Sequence, residues 1–147
     1  MIWLIALGAV IAGCLNTVQS GANATLNKTL QQPIFSALVV SGTNVIVYLL
    51  FAIFVGLSLP EASRVSQTPW WAWMGGALGA IYVLSMILFA ERLGAAVFTG
   101  LTLTGAIVTS VILDHDGLVG FRQHEVSLLR IVGCFLMIGG LALISKF

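Results

Sequence analysis

Residues 16–27 read NTVQSGANATLN, three asparagines and a glutamine inside an otherwise apolar stretch. They follow MIWLIALGAVIAGCL, residues 1–15, and no charged side chain occurs before Lys28. Each residue of a helix turns about 100°. Asn16, Gln19, Ser20, Asn23 and Asn27 recur at i, i+3, i+4, i+7 and i+11, so they share one face. Leu15, Val18, Ala22 and Leu26 occupy the flanks and back. Gly13 and Gly21 border the stripe, where they loosen the helix or admit a close neighbour. An amide facing lipid costs several kcal/mol unless it finds a partner. The stripe must therefore face protein or a water-filled cavity. One or two amides suffice to bond helices together. Four amides and a serine on one face exceed that need, and polar groups inside membranes mark function. The stripe is expected to line a passage for solute.

Composition points to lipid as the solvent. Of 147 residues, 59% are hydrophobic and 7% charged, against about 25% charged in an ordinary soluble domain. Mean hydropathy is +1.09. The net charge of +1 offers nothing to nucleic acid. Cys14 and Cys134 sit in apolar runs without metal-ligand spacing and read as small packing residues. IAGC at 11–14 resembles a lipoprotein cleavage box, but residues 1–13 lack the Lys or Arg that a secretory signal requires. The sequons at Asn23 and Asn27 fall inside the apolar stretch, not in an exposed loop, and read as chance matches.

A helix crosses the hydrocarbon with about 20 residues. Five windows qualify, at 2–26, 33–59, 69–90, 93–113 and 126–145. They predict an all-α polytopic membrane protein, one domain over 1–147. Pro33 suits a first helical turn. Trp70, Trp71 and Trp73 fit an interfacial belt; a nucleic-acid platform would need a basic groove that is absent. The apolar runs lack the period-two alternation of barrel strands. Five crossings put the termini on opposite sides. Arg64, Arg122 and Arg130 then face Lys28, Arg92 and Lys146, three against three. The excess of cytoplasmic Lys and Arg that sets orientation is missing.

Other helices add candidates. Ser41, Asn44 and Tyr48 share a face of the second helix, and Tyr82 and Ser85 one of the third. Thr99, Thr102, Ala106 and Thr109 form a mild stripe on the fourth, where threonines commonly bond their own backbone. Gly75 and Gly79, and the pair Gly139–Gly140, have the spacing of close helix approaches. Glu91, Asp114, His115 and Asp116 end helices, and Arg130 lies one turn inside the fifth, within snorkelling reach of the interface. Acidic and histidine chains serve proton relays when a cavity reaches them; otherwise these are wet end groups. DHDG at 114–117 makes no specific metal pattern.

Several of these stretches resemble one family. Gln19, Asn23, Ala24 and Leu26 (Q-x-x-x-N-A-x-L), GGALGA from Gly75, ERLGAAVF from Glu91, ILDHDGLVG from Ile112 and RIVGCFLMIGG from Arg130 are similar in order and spacing to the YdcZ-like family. These are five-helix bacterial inner-membrane proteins of the drug/metabolite transporter superfamily. The resemblance covers nearly the whole chain. It implies half of a ten-helix assembly of two inverted halves, with a second copy or an oppositely inserted paralogue supplying the rest. The balanced Lys/Arg count independently fits an inverted homodimer. Inverted repeats place the substrate near the midplane at their interface. Related small multidrug transporters carry a membrane-embedded glutamate in helix 1; here the stripe is all amide and hydroxyl. An uncharged polar or zwitterionic solute suits it better than a cation.

The function expected is a secondary transporter in the inner membrane, an exporter of a small polar or drug-like solute by alternating access, its site lined by the helix 1 polar stripe. Asn16, Gln19, Ser20, Asn23, Asn44, Tyr48 and Tyr82 would bind solute. Glu91, Asp114, His115 and Arg130 are candidates for coupling or gating. Partners are membrane lipid, the solute and a second inverted chain. A dual-topology channel and a non-transporting assembly subunit are the alternatives. No catalytic trio, nucleophile elbow, metal pattern or cofactor motif occurs, so no enzyme or cofactor is expected.

Overall fold

The computed structural model describes residues 2–121 and 123–146. Arg122, counted above among the loop charges, lies outside the described residues. Among those described there are six α-helices and no strand. In chain order they are α1 Ile2–Leu30, α2 Pro33–Phe54, α3 Ala62–Gln67, α4 Gly75–Leu93, α5 Ala95–Asp116 and α6 Leu128–Lys146. A 3-10 turn, Trp70–Met74, leads into α4, and another, Leu118–Gly120, follows α5. Five stretches are long and apolar enough to cross a membrane: α1, α2, Trp70–Leu93, α5 and α6. The all-α polytopic architecture expected from the apolar windows is therefore present.

The helix ends follow from local chemistry. The turn between α1 and α2 uses Gln31 at φ 53°, whose N–H reaches Asn27 O at 2.7 Å. Pro33 then opens α2 where its missing N–H costs nothing. The second window stops at Phe54, short of the expected Leu59. Gly56 at φ +63° turns left-handed there. Its N–H bonds Ile53 O at 3.2 Å while the Leu57 N–H bonds Ala52 O at 2.9 Å. Those two bonds form a Schellman stop. Pro60 further disfavours helix at Leu59. The linker beyond it holds α3, a single short helix.

The chain forms two compact units, one up to Arg92 and one from Leu93. In the first, α1 and α2 pack as a hairpin. Its buried side chains are Ser20 and Asn23 of α1, Ser36 and Val40 of α2, and Met86, Ile87 and Ala90 of α4. All lie in the second half of α1, the first half of α2 and the second half of α4. Every residue from 2 to 15 is exposed, as is every residue from 71 to 82. The exposed side chains include Ile2, Trp3, Leu4, Leu50, Phe51 and Leu78. In water such a surface would drive aggregation; in a bilayer it meets acyl chains.

In the second unit α5 packs against α6. Ser127 caps α6, its Oγ accepting from the Arg130 N–H at 3.3 Å. Gly117 at φ +62° stops α5. The loop folds back on that helix end: the His124 N–H bonds Asp114 O at 2.8 Å and Gln123 Nε2 donates to His115 O at 3.1 Å. The closest glycine approach in the unit is at Gly100, where an added Cβ would collide with Leu141. By contrast Gly75, Gly79, Gly139 and Gly140 have open space within 4 Å of such a Cβ. Among the described residues no neighbour makes the close approach for which Gly75-x-x-x-Gly79 and Gly139–Gly140 have the spacing. The same is true of Gly13 and Gly21, neither of which admits a close neighbour.

Candidate functional site

The second half of α1 carries its polar stripe onto α4. Asn16 Nδ2 donates to Tyr82 Oη at 3.4 Å. Two turns further on, Asn23 Nδ2 donates to Met86 Sδ at 3.4 Å. Tyr82 and Met86 are four apart on α4, so both face α1. Between these contacts Ser20 is buried, and its Oγ has no partner among the described residues. Asn27 Oδ1, a turn past Asn23, is likewise buried and unpartnered. Of the four amides Asn23 is buried, and Asn16, Gln19 and Asn27 are half-buried.

Two weak bonds do not exhaust this stripe. Both lie at the long end of hydrogen-bond range, and a thioether is a poor acceptor. The chain's threonines behave differently. Thr17, Thr25 and Thr29 donate to the carbonyls of Gly13, Gly21 and Thr25 at 3.2, 2.9 and 3.0 Å. Thr102 bonds Phe98 O and Thr99 O, each at 3.0 Å, and Ser85 bonds Ile81 O at 2.8 Å. Those hydroxyls are satisfied by their own helix. Ser20, Asn27 and Ser36 are buried with polar capacity left over.

The candidates on α2 stand apart. Asn44 is half-buried and Tyr48 is 70% exposed. Ser41 helps line an apolar groove of about 250 Å³ with Ile34, Leu38, Ile81 and Leu84. Ser36 and Met86 were not among the sequence candidates. The signal for Ser36 was its place on one stripe with Val40 and Asn44, at four-residue spacing; that for Met86 was its place one turn beyond Tyr82.

The charged candidates divide. Asp114 Oδ2 accepts from Arg130 Nη2 at 3.2 Å, joining the end of α5 to the start of α6. His115 is exposed, and its Nδ1 accepts from the Val126 N–H at 3.5 Å. Glu91 is exposed at the end of α4. No group of acidic, histidine and cysteine side chains among the described residues has the geometry to hold a metal. Cys14 and Cys134 are free thiols.

The order of elements, the inward stripe of α1 and the paired charges of the last hairpin can be set beside known families. Residues 4–143 match the family described as "Putative inner membrane exporter, YdcZ". The chain belongs to this family. It is a multi-pass protein of the inner membrane, and its family is one of membrane transporters. No curated protein and no solved structure matches it.

Proposed function

We propose that this YdcZ-family chain is a secondary transporter that exports a small polar or zwitterionic solute by alternating access, with the α1 stripe lining its site. The observation that carries the reading is Ser20. It is 1% exposed and without a partner among the described residues, midway between Asn16 and Asn23, which hold α4 by long bonds only. A helix contact evolved purely for assembly leaves no buried hydroxyl unsatisfied at its centre. Gln19 and Tyr82 flank this point and complete a set of neutral donors and acceptors. Such a set suits an uncharged or zwitterionic solute better than a cation, which would need a carboxylate.

Two copies inserted in opposite senses would bring two such stripes to one midplane cavity. The balanced Lys/Arg count supports this pairing, with a homodimer or an inverted paralogue as the partner. No cofactor and no catalytic step enter the reading. That Asn16 and Asn23 bond α4 at all is what a second reading rests on, in which the stripe only assembles helices. Counter-flow in proteoliposomes separates the two. A transporter loaded with unlabelled solute accumulates labelled solute transiently; a channel equilibrates without accumulation; an assembly subunit does neither. Gln19→Leu should abolish counter-flow in normally folded protein. Full counter-flow in that variant would remove the stripe from the site.

A further inference from the structure

A second feature lies in the other unit and does not rest on the transport reading. A groove of about 440 Å³ runs beside the contact between α5 and α6. That volume falls within the range of about 300–1,000 Å³ usual for ligand pockets. Asp114 and Arg130 stand at one end, and Ser110 lies one turn deeper. Ile107, Val111 and Met137 form the apolar remainder. Gly133 leaves a gap in the α6 side, since a Cβ there would meet nothing within 4 Å. Arg130 is the third residue of α6, so the charged end sits near the membrane interface. Met137 is seven residues further, which places it about 10 Å deeper at 1.5 Å per residue.

The guanidinium is only partly used. Its Nη2 holds Asp114 Oδ2 at 3.2 Å. Its Nη1 is buried and has no partner among the described residues. A guanidinium offers five N–H donors in a planar fork that matches a phosphate or carboxylate. One carboxylate oxygen engages one arm and leaves the other without an acceptor. Nη1 itself is shielded although the side chain is about one third exposed, so an acceptor from a ligand is its natural complement.

We infer that the α5–α6 groove binds an anionic amphiphile, with a phosphate head on Arg130 and a single hydrocarbon chain laid past Gly133 toward Ile107 and Met137. The bilayer supplies such a head on an anionic phospholipid, one of whose two chains would lie in the groove while the other stays in the lipid, and a free alkyl phosphate has the same head and single chain. Asp114 repels the incoming head while sharing Arg130, so it tunes affinity downward. Gly133 admits the chain because any larger side chain would occupy its path.

The test uses the purified full chain in neutral detergent, with dodecyl phosphate as probe and calorimetry as readout. Dodecyl phosphate should bind saturably, and inorganic phosphate at least about tenfold more weakly, since only the former fills the groove. Arg130→Gln should lower affinity about tenfold or more, and Arg130→Lys by less, because a charged head contact is lost or loses its fork. Gly133→Leu should lower it comparably with Arg130 intact. Asp114→Asn should raise it, an effect that a purely structural ion pair would not produce. If Arg130→Gln fails to fold, Gly133→Leu and Asp114→Asn decide. Native mass spectrometry distinguishes the sources. Phosphatidylglycerol retained by the wild type and lost from Gly133→Leu identifies a lipid site; dodecyl phosphate binding without retained lipid identifies a site for a free amphiphile. Equal binding by wild type and Gly133→Leu, or no rise with Asp114→Asn, would overturn the assignment.

Discussion

The contact between Asn23 and Met86 separates a binding stripe from helix glue through stability alone. Asn23 is 5% exposed and Met86 1%, and one N–H···S bond of 3.4 Å joins them. Replacing Met86 with Leu is nearly volume-conserving and costs under about 1.5 kcal/mol as packing. It also strips the buried amide of its acceptor, which costs about 1–3 kcal/mol. In membranes such penalties shrink, because interhelical hydrogen bonds average only about 0.6 kcal/mol there. Met86→Leu should therefore destabilise by about 2 kcal/mol. Asn23→Leu keeps the branching at Cγ and removes the amide altogether, leaving a thioether that tolerates apolar company. Removing a polar pair together is close to neutral, so Asn23→Leu should stay within about 1 kcal/mol of wild type. The double variant should match Asn23→Leu, giving a coupling equal in size to the Met86→Leu loss, about 2 kcal/mol. Unfolding by sodium dodecyl sulfate titration in mixed micelles measures all three. Flux in proteoliposomes should fall in both Asn23 variants whatever their stability. The reasoning fails if Asn23→Leu is the least stable of the three and still supports full flux.

Three further expectations concern the scaffold. Gly56→Ala should destabilise by about 1–2 kcal/mol, because Gly56 sits at φ +63° in the stop of α2; Gly117→Ala should cost more, as its Cβ would also press on Gln123 Cβ at 3.4 Å. Both are read from the same micelle titration. Gly79→Ala should stabilise an isolated chain by up to about 1 kcal/mol through helix propensity, since nothing crowds that position; a loss of dimer on cross-linking would instead place it in an intermolecular contact. Single cysteines placed at each terminus of a cysteine-free chain should label from both sides of intact cells, and one-sided labelling would rule out dual insertion.

The burial of Ser20 and Asn23 on the α1 stripe was legible in the sequence because it rests on two local rules, helical period and the cost of bare polar groups in lipid. Its partners were not. Tyr82 and Met86 are 66 and 63 residues from Asn16 and Asn23, and no period in α1 reports which helix it meets. The end of α2 was written in the sequence as Gly56 and Pro60, but the apolar run of Leu57 and Leu59 concealed it: hydropathy measures where a chain is content, while hydrogen-bond geometry decides where a helix stops. The small-residue pattern says less than it suggests about contacts inside one chain. Gly75 and Gly79 have the spacing of a helix contact and make none among the described residues, whereas Gly100, without a motif, abuts Leu141. Spacing shows that an approach is permitted; the facing helix determines whether it occurs. Asp114 and Arg130 were each visible as charges near helix ends, but their pairing depends on how the α5–α6 loop folds.

The bare first half of α1 has a mechanical meaning. Residues 2–15 touch little of their own chain, and packing begins at Asn16. A helix held at one end and free at the other is a lever with its fulcrum at that asparagine. Fourteen residues of free arm extend about 21 Å at 1.5 Å per residue, so a 10° tilt at the fulcrum sweeps Ile2 sideways by roughly 4 Å. A small shift of the contact at Asn16 is therefore magnified along the exposed arm of α1.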